Sequence, residues 1–208
     1  MKKSVISIVD YGQGNLGSIR NMLHFLGFDS QITSDVQAIA TAEKLILPGV
    51  GAFDTAMREL EKRNLPDTLH RRVVEDKVPI LGICLGAQLM TRGSEEGERA
   101  GLGWFDAETV RFDFGKDDRK LPIPNIGWRP VKAHGDSDLM QGWHDPAKFY
   151  FVHSYYMRSN DPSNIAFTSS YGHDFVAGMQ CDNIYSAQFH PEKSHKFGMH
   201  LMRSFANV

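Results

Sequence analysis

Short apolar segments alternate with amphipathic segments along the first hundred residues of the sequence. Residues 15–26 carry apolar side chains at helical spacing, and Gly27 follows them as a stop signal. Buried strands separated by helices are typical of a parallel sheet with crossover connections. The first half is therefore predicted to form parallel strands at 5–9, 29–33, 44–47 and 78–83, with further helical segments across 54–76.

The pattern changes near residue 100, where aromatic residues, glycines and prolines become frequent. Strand candidates lie at 148–152, 165–169, 176–180 and 184–189, and a final helix is expected at 196–205. We interpret the change as parallel strands giving way to antiparallel hairpins. A length of 208 residues favours one domain, because domains average about 150 residues. The prediction is a single α/β domain over residues 1–208, with a mostly parallel central sheet flanked by helices and an antiparallel, β-rich extension.

The composition excludes several classes of protein. Lys and Arg number 23 against 25 Asp and Glu, so no basic excess marks a nucleic-acid-binding surface. No segment approaches the ~18 consecutive apolar residues of a membrane span. The first apolar run ends at Asp10, too soon for a secretory leader, and two cysteines cannot form a disulfide framework. The expectation is a cytoplasmic protein that binds neither membranes nor nucleic acid.

A cysteine stands where the fourth apolar segment meets an amphipathic segment. Cys84 is flanked two residues away by Gly82 and Gly86, and a tight turn of this kind presents a nucleophile at the carboxyl edge of a sheet. The helix that begins after Cys84 offers free N–H groups and its positive dipole end to a thiolate. The alternative is that Cys84 is a small buried hydrophobic residue, as most single cysteines are. The two glycines favour a nucleophile.

A cysteine nucleophile needs a base, and His190 stands out among nine histidines. It follows a strand candidate, and Glu192 stands two residues further on, where its carboxylate can orient the imidazole. Pro191 restricts the backbone between the two. The alternative for this pair is a surface histidine beside a solvated glutamate. Together with Cys84, the pair predicts a catalytic Cys-His-Glu triad.

Glycines also follow the third apolar segment, in Pro48-Gly49-Val50-Gly51. Glycines at a strand end often mark only a turn. In a parallel sheet, however, this loop opens at the same carboxyl edge as Cys84, where ligands bind. Its backbone N–H groups can therefore complete an oxyanion hole with the N–H of Leu85.

Two other patterns compete with this interpretation. Residues 12–17 match G-x-G-x-x-G, and Asp35 stands near the place of a ribose-binding carboxylate, so a non-catalytic dinucleotide-binding module stays open. A zinc site is disfavoured, because Cys84 and Cys181 are far apart in sequence and the histidines between 190 and 200 recur every five residues. Neither pattern uses the triad, so no metal and no cofactor are expected.

The three segments together resemble the class I (triad) glutamine amidotransferases. Within that class the match narrows to the HisH glutaminase subunits of imidazole glycerol phosphate synthase. Further matching segments, at 11–16, 101–104, 126–128 and 151–156, extend the resemblance over essentially the whole chain. The resemblance implies that Cys84 attacks the side-chain amide of glutamine, His190 passes a proton to the departing ammonia, and Glu192 orients His190.

The resemblance also implies roles for residues around the triad. The oxyanion hole would use the N–H groups of Leu85 and Val50, the second after a flip of the peptide between Gly49 and Val50. Such a flip would couple glutaminase activity to the ligand state of a partner. The residues implied to hold the amino-acid end of glutamine are Gly51, Gln88, and the backbone of Ser154 and Tyr155.

A partner is expected for a chemical reason as well. Ammonia released into neutral water becomes mostly ammonium, which is not nucleophilic, so a useful glutaminase must deliver it under cover. By resemblance the recipient is a (β/α)8 barrel, the HisF-type cyclase subunit, which forms a heterodimer with the glutaminase. It makes imidazole glycerol phosphate and aminoimidazole carboxamide ribonucleotide in histidine biosynthesis. The positions that match partner-facing ones are Gly12, Asn15, Trp128 and Lys193.

The segment around Trp128 departs from the usual pattern. Asn125 stands where HisH proteins more often carry His, and Arg129 where they more often carry Asn. A HisH-like paralogue that supplies ammonia to another synthase, such as one for amidino-modified surface sugars, therefore stays open. A cysteine peptidase or another amidase on the same architecture also stays open.

Overall fold

The structure is a computed structural model that describes residues 5–115, 121–135, 137–140, 142–143 and 147–208. It confirms the predicted class, a single α/β domain whose described strands form one mixed sheet flanked by helices. In chain order the strands are β1 Ile6–Val9, β2 Ser30–Thr33, β3 Lys44–Gly49, β4 Ile80–Cys84, β5 Ala107–Arg111, β6 Asn125–Ala133, β7 Ala147–His153, β8 Tyr155–Ser159, β9 Ile165–Tyr171, β10 His173–Cys181 and β11 Ile184–Ala187. The helices are α1 Leu16–Phe25, α2 Val36–Ala40, α3 Phe53–Lys62, α4 Leu65–His70, α5 Leu85–Leu89 and α6 His195–Asn207.

Five strands form the parallel half of the sheet, side by side in the order β2-β1-β3-β4-β11. Its central strands are buried on both faces. In β3, Leu45 and Leu47 pack in one apolar cluster and Ile46 packs in the cluster on the other side. Strands of this kind appear in a sequence as continuous apolar runs, which is why the pattern predicted them.

The antiparallel half continues from β11 in the order β10-β9-β6-β7, and β8 pairs with both β10 and β5. β6 lies opposite β7 from Asn125 to Val131 and meets β9 only at Lys132 and Ala133. Pro130 lies outside the backbone pairs that β6 makes with β9, a position at which a sheet tolerates proline, and its carbonyl accepts from Ser169 Oγ of β9 at 2.8 Å.

Neighbouring strands bring the candidate residues to one edge. Gly49 at the end of β3 lies opposite Cys84 at the end of β4. On the other side of β4, Ala187 of β11 lies opposite Ile83, so the chain leaving β11 reaches His190 at the same edge. The carboxyl edge of the parallel half is thus where the site forms, as expected for such sheets.

The predicted strands are all present, with ends shifted by one to three residues. The helical region 54–76 is divided, because Asn64 adopts a left-handed conformation (φ 55°) after α3. The elements without a sequence prediction are α2, β5, β6 and β8. In β6 the local sequence does not indicate a strand, since Gly127 and Pro130 belong to residue types that are depleted in strands. Within the described part of the chain, no helix is long and apolar enough to cross a bilayer.

Candidate active site

Cys84 ends β4 and stands directly before α5. Its backbone has φ 54° and ψ −109°, a conformation that costs a residue with a side chain about 1–3 kcal/mol. The residue is buried, with 7% of its surface exposed. The strained turn holds the sulfur at the carboxyl edge of the sheet, beside the first turn of α5.

The two glycines that flank Cys84 are required by close packing. A Cβ at Gly82 would lie 2.8 Å from the Ala87 Cα, and a Cβ at Gly86 would lie 1.8 Å from the Leu47 carbonyl oxygen. Neither contact is tolerable for a side chain, so the sharp turn needs glycine at both positions. This is the physical reason for the G-x-C-x-G spacing.

His190 is fixed through its backbone and its side chain. Its N–H donates to the Tyr150 carbonyl at 2.9 Å, and its Nδ1 lies 2.8 Å from Glu192 Oε1. The side chains of His190 and Glu192 are 2% and 1% exposed, so water does not screen this contact. Because a carboxylate only accepts, Nδ1 carries a hydrogen and Nε2 is the nitrogen available to a thiol.

Two opposing influences set the pKa of His190. Burial lowers the pKa, but interaction with Cys84 and with Glu192 outweighs burial and raises the pKa above its ordinary 6.5. Among the described residues, no partner meets strict hydrogen-bond geometry at Nε2. The sulfur of Cys84 is nevertheless close enough to have the largest raising effect. The imidazolium form of His190 is therefore favoured when the thiol is ionised.

Cys84 and His190 line one pocket of about 300 Å3. Glu192 and Gly49 lie behind its wall, Glu192 against His190 and Gly49 opposite Cys84. The structure thus brings the triad, oxyanion and substrate candidates to one place. The wall contains six more residues that the sequence analysis named, Val50, Gly51, Leu85, Gln88, Ser154 and Tyr155, and four that it gave no role, Glu96, Pro124, Val152 and His153.

The oxyanion candidate segment depends on glycine on both sides of Val50. A Cβ at Gly49 would lie 2.6 Å from Tyr11 Oη and 2.7 Å from Gly86 N. Gly51 has φ 104°, a conformation that L side chains rarely adopt. Tyr11 Oη donates to the carbonyl of Pro48 at 2.7 Å and so fixes the start of the segment.

Gln188, which no sequence prediction named, connects the nucleophile to Gln88. Its Nε2 lies 3.8 Å from Cys84 Sγ, and its Oε1 accepts from Gln88 Nε2 at 3.1 Å. Gln88 Nε2 also donates to the Tyr155 carbonyl at 3.0 Å. A signal was available, because side chains two residues apart in extended chain share a face and Gln188 precedes His190 by two.

Glu96 supplies the only carboxylate in the pocket wall as the structure describes it. Its Oε2 accepts from the Phe53 N–H at 2.9 Å, which holds the side chain at the start of α3. The sequence gives no signal for Glu96, because it lies in an acidic run at 94–98, a pattern typical of a solvated surface segment. Its place in the pocket comes from the contact with α3.

Two of the partner-interface candidates lie together on the surface. Trp128 is 42% exposed and stacks on His195, with ring centroids 5.4 Å apart and an interplanar angle of 2°. Trp128 also meets Tyr150 edge to face at 6.2 Å, and Lys193 Nζ lies 5.8 Å from the Tyr150 ring centroid. Asn125, which departs from the usual residue at its position, is fully buried.

The other two interface candidates, Gly12 and Asn15, lie in the loop after β1. This loop packs against the oxyanion candidate segment, since a Cβ at Gly14 would lie 3.1 Å from the Pro48 Cβ. Within the described ranges, no group of three or more His, Cys, Asp or Glu side chains is arranged to hold a metal ion.

A buried thiol beside an imidazole that a carboxylate orients can perform nucleophilic acyl transfer through a thioester. Comparison with known proteins agrees with this chemistry.

The family model "Glutamine amidotransferase class-I" matches residues 7–207. The chain is 50% identical to imidazole glycerol phosphate synthase subunit HisH 2 of Methanococcus maripaludis, over 97% of this chain and 98% of that protein. It is 45% identical to subunit HisH 2 of Pseudomonas aeruginosa, over 98% of this chain and 100% of that protein.

Solved structures give the same fold at low sequence identity. A chain in the structure of PurLQS from Thermotoga maritima has a TM-score of 0.73 at 17% identity, covering 99% of this chain and 98% of that one. A crystal structure described as a glutamine amidotransferase has a TM-score of 0.74 at 18% identity, covering 99% and 100%. The match to the family model and the identities to curated relatives show that this chain belongs to the class I glutamine amidotransferases.

Proposed function

We propose that this chain is the glutaminase subunit of an imidazole glycerol phosphate synthase, which hydrolyses L-glutamine to glutamate and delivers the ammonia to a synthase subunit. The observation that carries the proposal is the buried Cys84 at a strained strand-to-helix turn, facing a histidine that Glu192 orients in one pocket. The names of the similar proteins, each a subunit of that synthase, support the choice within the family.

The proposed reaction passes through a thioester. The Cys84 thiolate attacks the side-chain carbonyl carbon of glutamine, and His190, which holds the thiol proton, gives it to the departing nitrogen so that ammonia leaves. Water, deprotonated by His190, then attacks the thioester and releases glutamate and free Cys84. The N–H groups of Leu85 and Val50 would stabilise the oxyanion in both steps, the second after the Gly49–Val50 peptide turns.

The pocket wall offers complementary groups to the amino-acid end of glutamine. Both hydrogens of the Gln88 carboxamide are committed to protein acceptors, so its oxygen is the atom left for a ligand. This oxygen and the Glu96 carboxylate suit an α-ammonium group. The backbone of Ser154 and Tyr155 and that of Gly51 would hold the rest of the amino-acid end.

The proposed partner is a HisF-type cyclase subunit in a cytoplasmic heterodimer of histidine biosynthesis. The exposed Trp128 with Lys193, and the loop that carries Gly12 and Asn15, would contact it. A second candidate is a paralogue that supplies another synthase. It is favoured by Arg129, which departs from the usual residue at its position and here bonds to Asn125.

Glutamate release from glutamine, measured with and without a HisF-type cyclase and its nucleotide substrate, tests the proposal. We expect strong stimulation in the complex, loss of all turnover in Cys84→Ala, and near-normal turnover in the matched control Cys181→Ala, which removes the other free cysteine. With Cys84→Ala, added ammonia should still support the synthase reaction. Full glutamine-dependent turnover by Cys84→Ala would refute the mechanism. A wild-type chain that HisF does not stimulate would favour the paralogue.

A further inference from the structure

Three polar side chains connect β6 to the pocket wall. Arg129 Nε donates to Asn125 Oδ1 at 3.0 Å, and Asn125 Nδ2 lies 3.0 Å from His153 Nε2. On its other side, His153 Nδ1 lies 2.7 Å from the Tyr155 carbonyl oxygen. Asn125 and His153 are 0% and 6% exposed, so a polar atom left without its partner here would be costly.

Chemistry fixes the donor and the acceptor in each of these contacts. A guanidinium only donates, so Asn125 turns Oδ1 towards Arg129 and its NH2 group towards His153. A carbonyl only accepts, so His153 carries its hydrogen on Nδ1. His153 Nε2 is then the acceptor for Asn125. The contacts therefore select one tautomer of a neutral imidazole.

The surroundings of His153 agree with the neutral form. The pKa of His153 is lowered from 6.5 to about 4, chiefly by burial; the bond to the Tyr155 carbonyl opposes this decrease, and the charges of His190 and Arg129 contribute to it. The rings of Phe112, Phe151 and Phe175 pack around the imidazole with centroids 5.3–5.4 Å away. Arg129 is itself held, its guanidinium carbon lying 4.5 Å from the Tyr171 ring centroid.

The series of hydrogen bonds that begins at Arg129 ends at Gln88, in the wall of the pocket. The Tyr155 carbonyl accepts from both His153 and Gln88 Nε2, and the second hydrogen of Gln88 Nε2 goes to Gln188 Oε1. The orientation of the Gln88 carboxamide therefore depends on where the Tyr155 carbonyl lies. That position depends in turn on the hydrogen at His153 Nδ1.

We propose that Arg129, Asn125 and His153 are positioning residues that hold the Tyr155 carbonyl and the Gln88 carboxamide in the orientation that binds the amino-acid end of the substrate. This inference rests on the proposed glutaminase function. If the Asn125 amide turned over, its oxygen would face His153 Nε2 and draw the hydrogen there. A bare Nδ1 would then repel the Tyr155 carbonyl, and Gln88 would lose its fixed acceptor.

A first test reads the tautomer directly and needs no activity. In 15N-labelled full-length chain, long-range proton–nitrogen NMR spectra should show His153 neutral at pH 7, with its hydrogen on Nδ1. In Asn125→Asp the group facing Nε2 becomes an acceptor, so His153 should take a second proton at neutral pH. A hydrogen on Nε2 in the wild type, or an unchanged His153 in Asn125→Asp, would overturn the proposed arrangement.

A second test separates substrate placement from thiol reactivity. The probe 6-diazo-5-oxo-L-norleucine is a glutamine analogue whose protonated diazo carbon alkylates the Cys84 thiolate with loss of N2, whereas iodoacetamide reports the thiol alone. In Arg129→Met we expect the half-saturating concentration of the analogue to rise about tenfold, the effect of losing one charge-assisted hydrogen bond. In Asn125→Asp the hydrogen stays on His153 Nδ1, so the half-saturating concentration should change by no more than about twofold. The limiting rate and the iodoacetamide rate should stay within about twofold.

The controls distinguish the possible failures. Arg158→Met removes an exposed arginine from the strand that carries Tyr155 and should leave both reagents unaffected. Arg129→Lys, the conservative variant, should restore most of the analogue affinity. If the analogue affinity is unchanged in Arg129→Met, or if both reagents slow equally, the positioning role is wrong. If the analogue does not label the wild type, the proposed function is wrong, and the NMR spectra still decide the His153 arrangement.

Discussion

Two buried histidines line the same pocket, and the structure shifts their pKa values in opposite directions. His190 meets the Glu192 carboxylate and the Cys84 sulfur, and its pKa is raised. His153 meets an amide and a carbonyl, with the Arg129 charge nearby, and its pKa is lowered to about 4. Burial lowers the pKa of both, so the difference comes from their partners. In this pocket the imidazole beside anionic groups is suited to act as a base, and the imidazole between an amide and a carbonyl is suited to hold other groups in position.

The largest expected effect separates the two histidines by kinetics. His190→Asn removes the group that moves the proton, so glutaminase kcat should fall about 1,000-fold or more. His153→Asn removes a positioning contact, so the glutamine KM should rise about tenfold while kcat stays within about threefold. Steady-state glutamate release in the synthase complex measures both. Equal losses of kcat in the two variants would contradict the division of roles.

The carboxylate of Glu192 is the next part of the comparison. Glu192→Gln replaces a negatively charged carboxylate by a neutral amide, so kcat should fall about 100-fold and the pKa of His190, followed by NMR in the full-length chain, should decrease. Glu96→Gln is the matched control. It removes a carboxylate that lies in the same pocket but bonds to the Phe53 N–H and does not contact His190. It should raise the glutamine KM and leave the pKa of His190 nearly unchanged. If both variants lower the pKa of His190 equally, that pKa depends on the total charge of the pocket and not on the contact with Glu192.

Stability measured against pH should show opposite slopes for the two histidines. The folded pKa of His153 is lowered, so its contribution is present above pH 6.5 and is lost as the pH falls towards about 4, by roughly 3 kcal/mol at most. The folded pKa of His190 is raised, so its contribution is present below pH 6.5 and is lost as the pH rises through that raised value. Urea unfolding measures the free energy of unfolding of the wild type and of the variants His153→Gln and His190→Gln at a series of pH values. The difference between the wild type and each variant gives the pH dependence that the replaced histidine contributes. Slopes of the same sign would contradict the comparison.

The sequence predicts one of these histidines and not the other, because their partners lie at different distances along the chain. Glu192 is two residues from His190, and Cys84 lies in a motif that its neighbouring glycines mark, so local pattern was sufficient. The partner of His153 is Asn125, which lies directly opposite it across β6 and β7. Nothing in the sequence near His153 specifies that pairing.

The same reasoning explains which parts of the fold were predictable. Strands buried on both faces, such as β3, appear as apolar runs whatever their neighbours are. The strand β6 owes its existence to pairing with β7, since Gly127 and Pro130 oppose strand formation locally. Glu96 likewise reaches the pocket through its bond to the start of α3, a contact between distant segments. What depends on such pairings emerges only in the folded chain.

The smallest expected effect concerns the property of Arg129 that keeps the hydrogen of His153 on Nδ1. Lysine at this position retains a positive charge and a donor but lacks the planar guanidinium that packs on Tyr171. If donation to Asn125 Oδ1 orients the amide, Arg129→Lys should leave the hydrogen of His153 on Nδ1 and raise the glutamine KM by no more than about threefold. If the stacked guanidinium is what orients the amide, the lysine variant should match Arg129→Met in both the His153 spectrum and KM. The lysine variant thus distinguishes a donor that any cation can provide from a geometry that only arginine can hold.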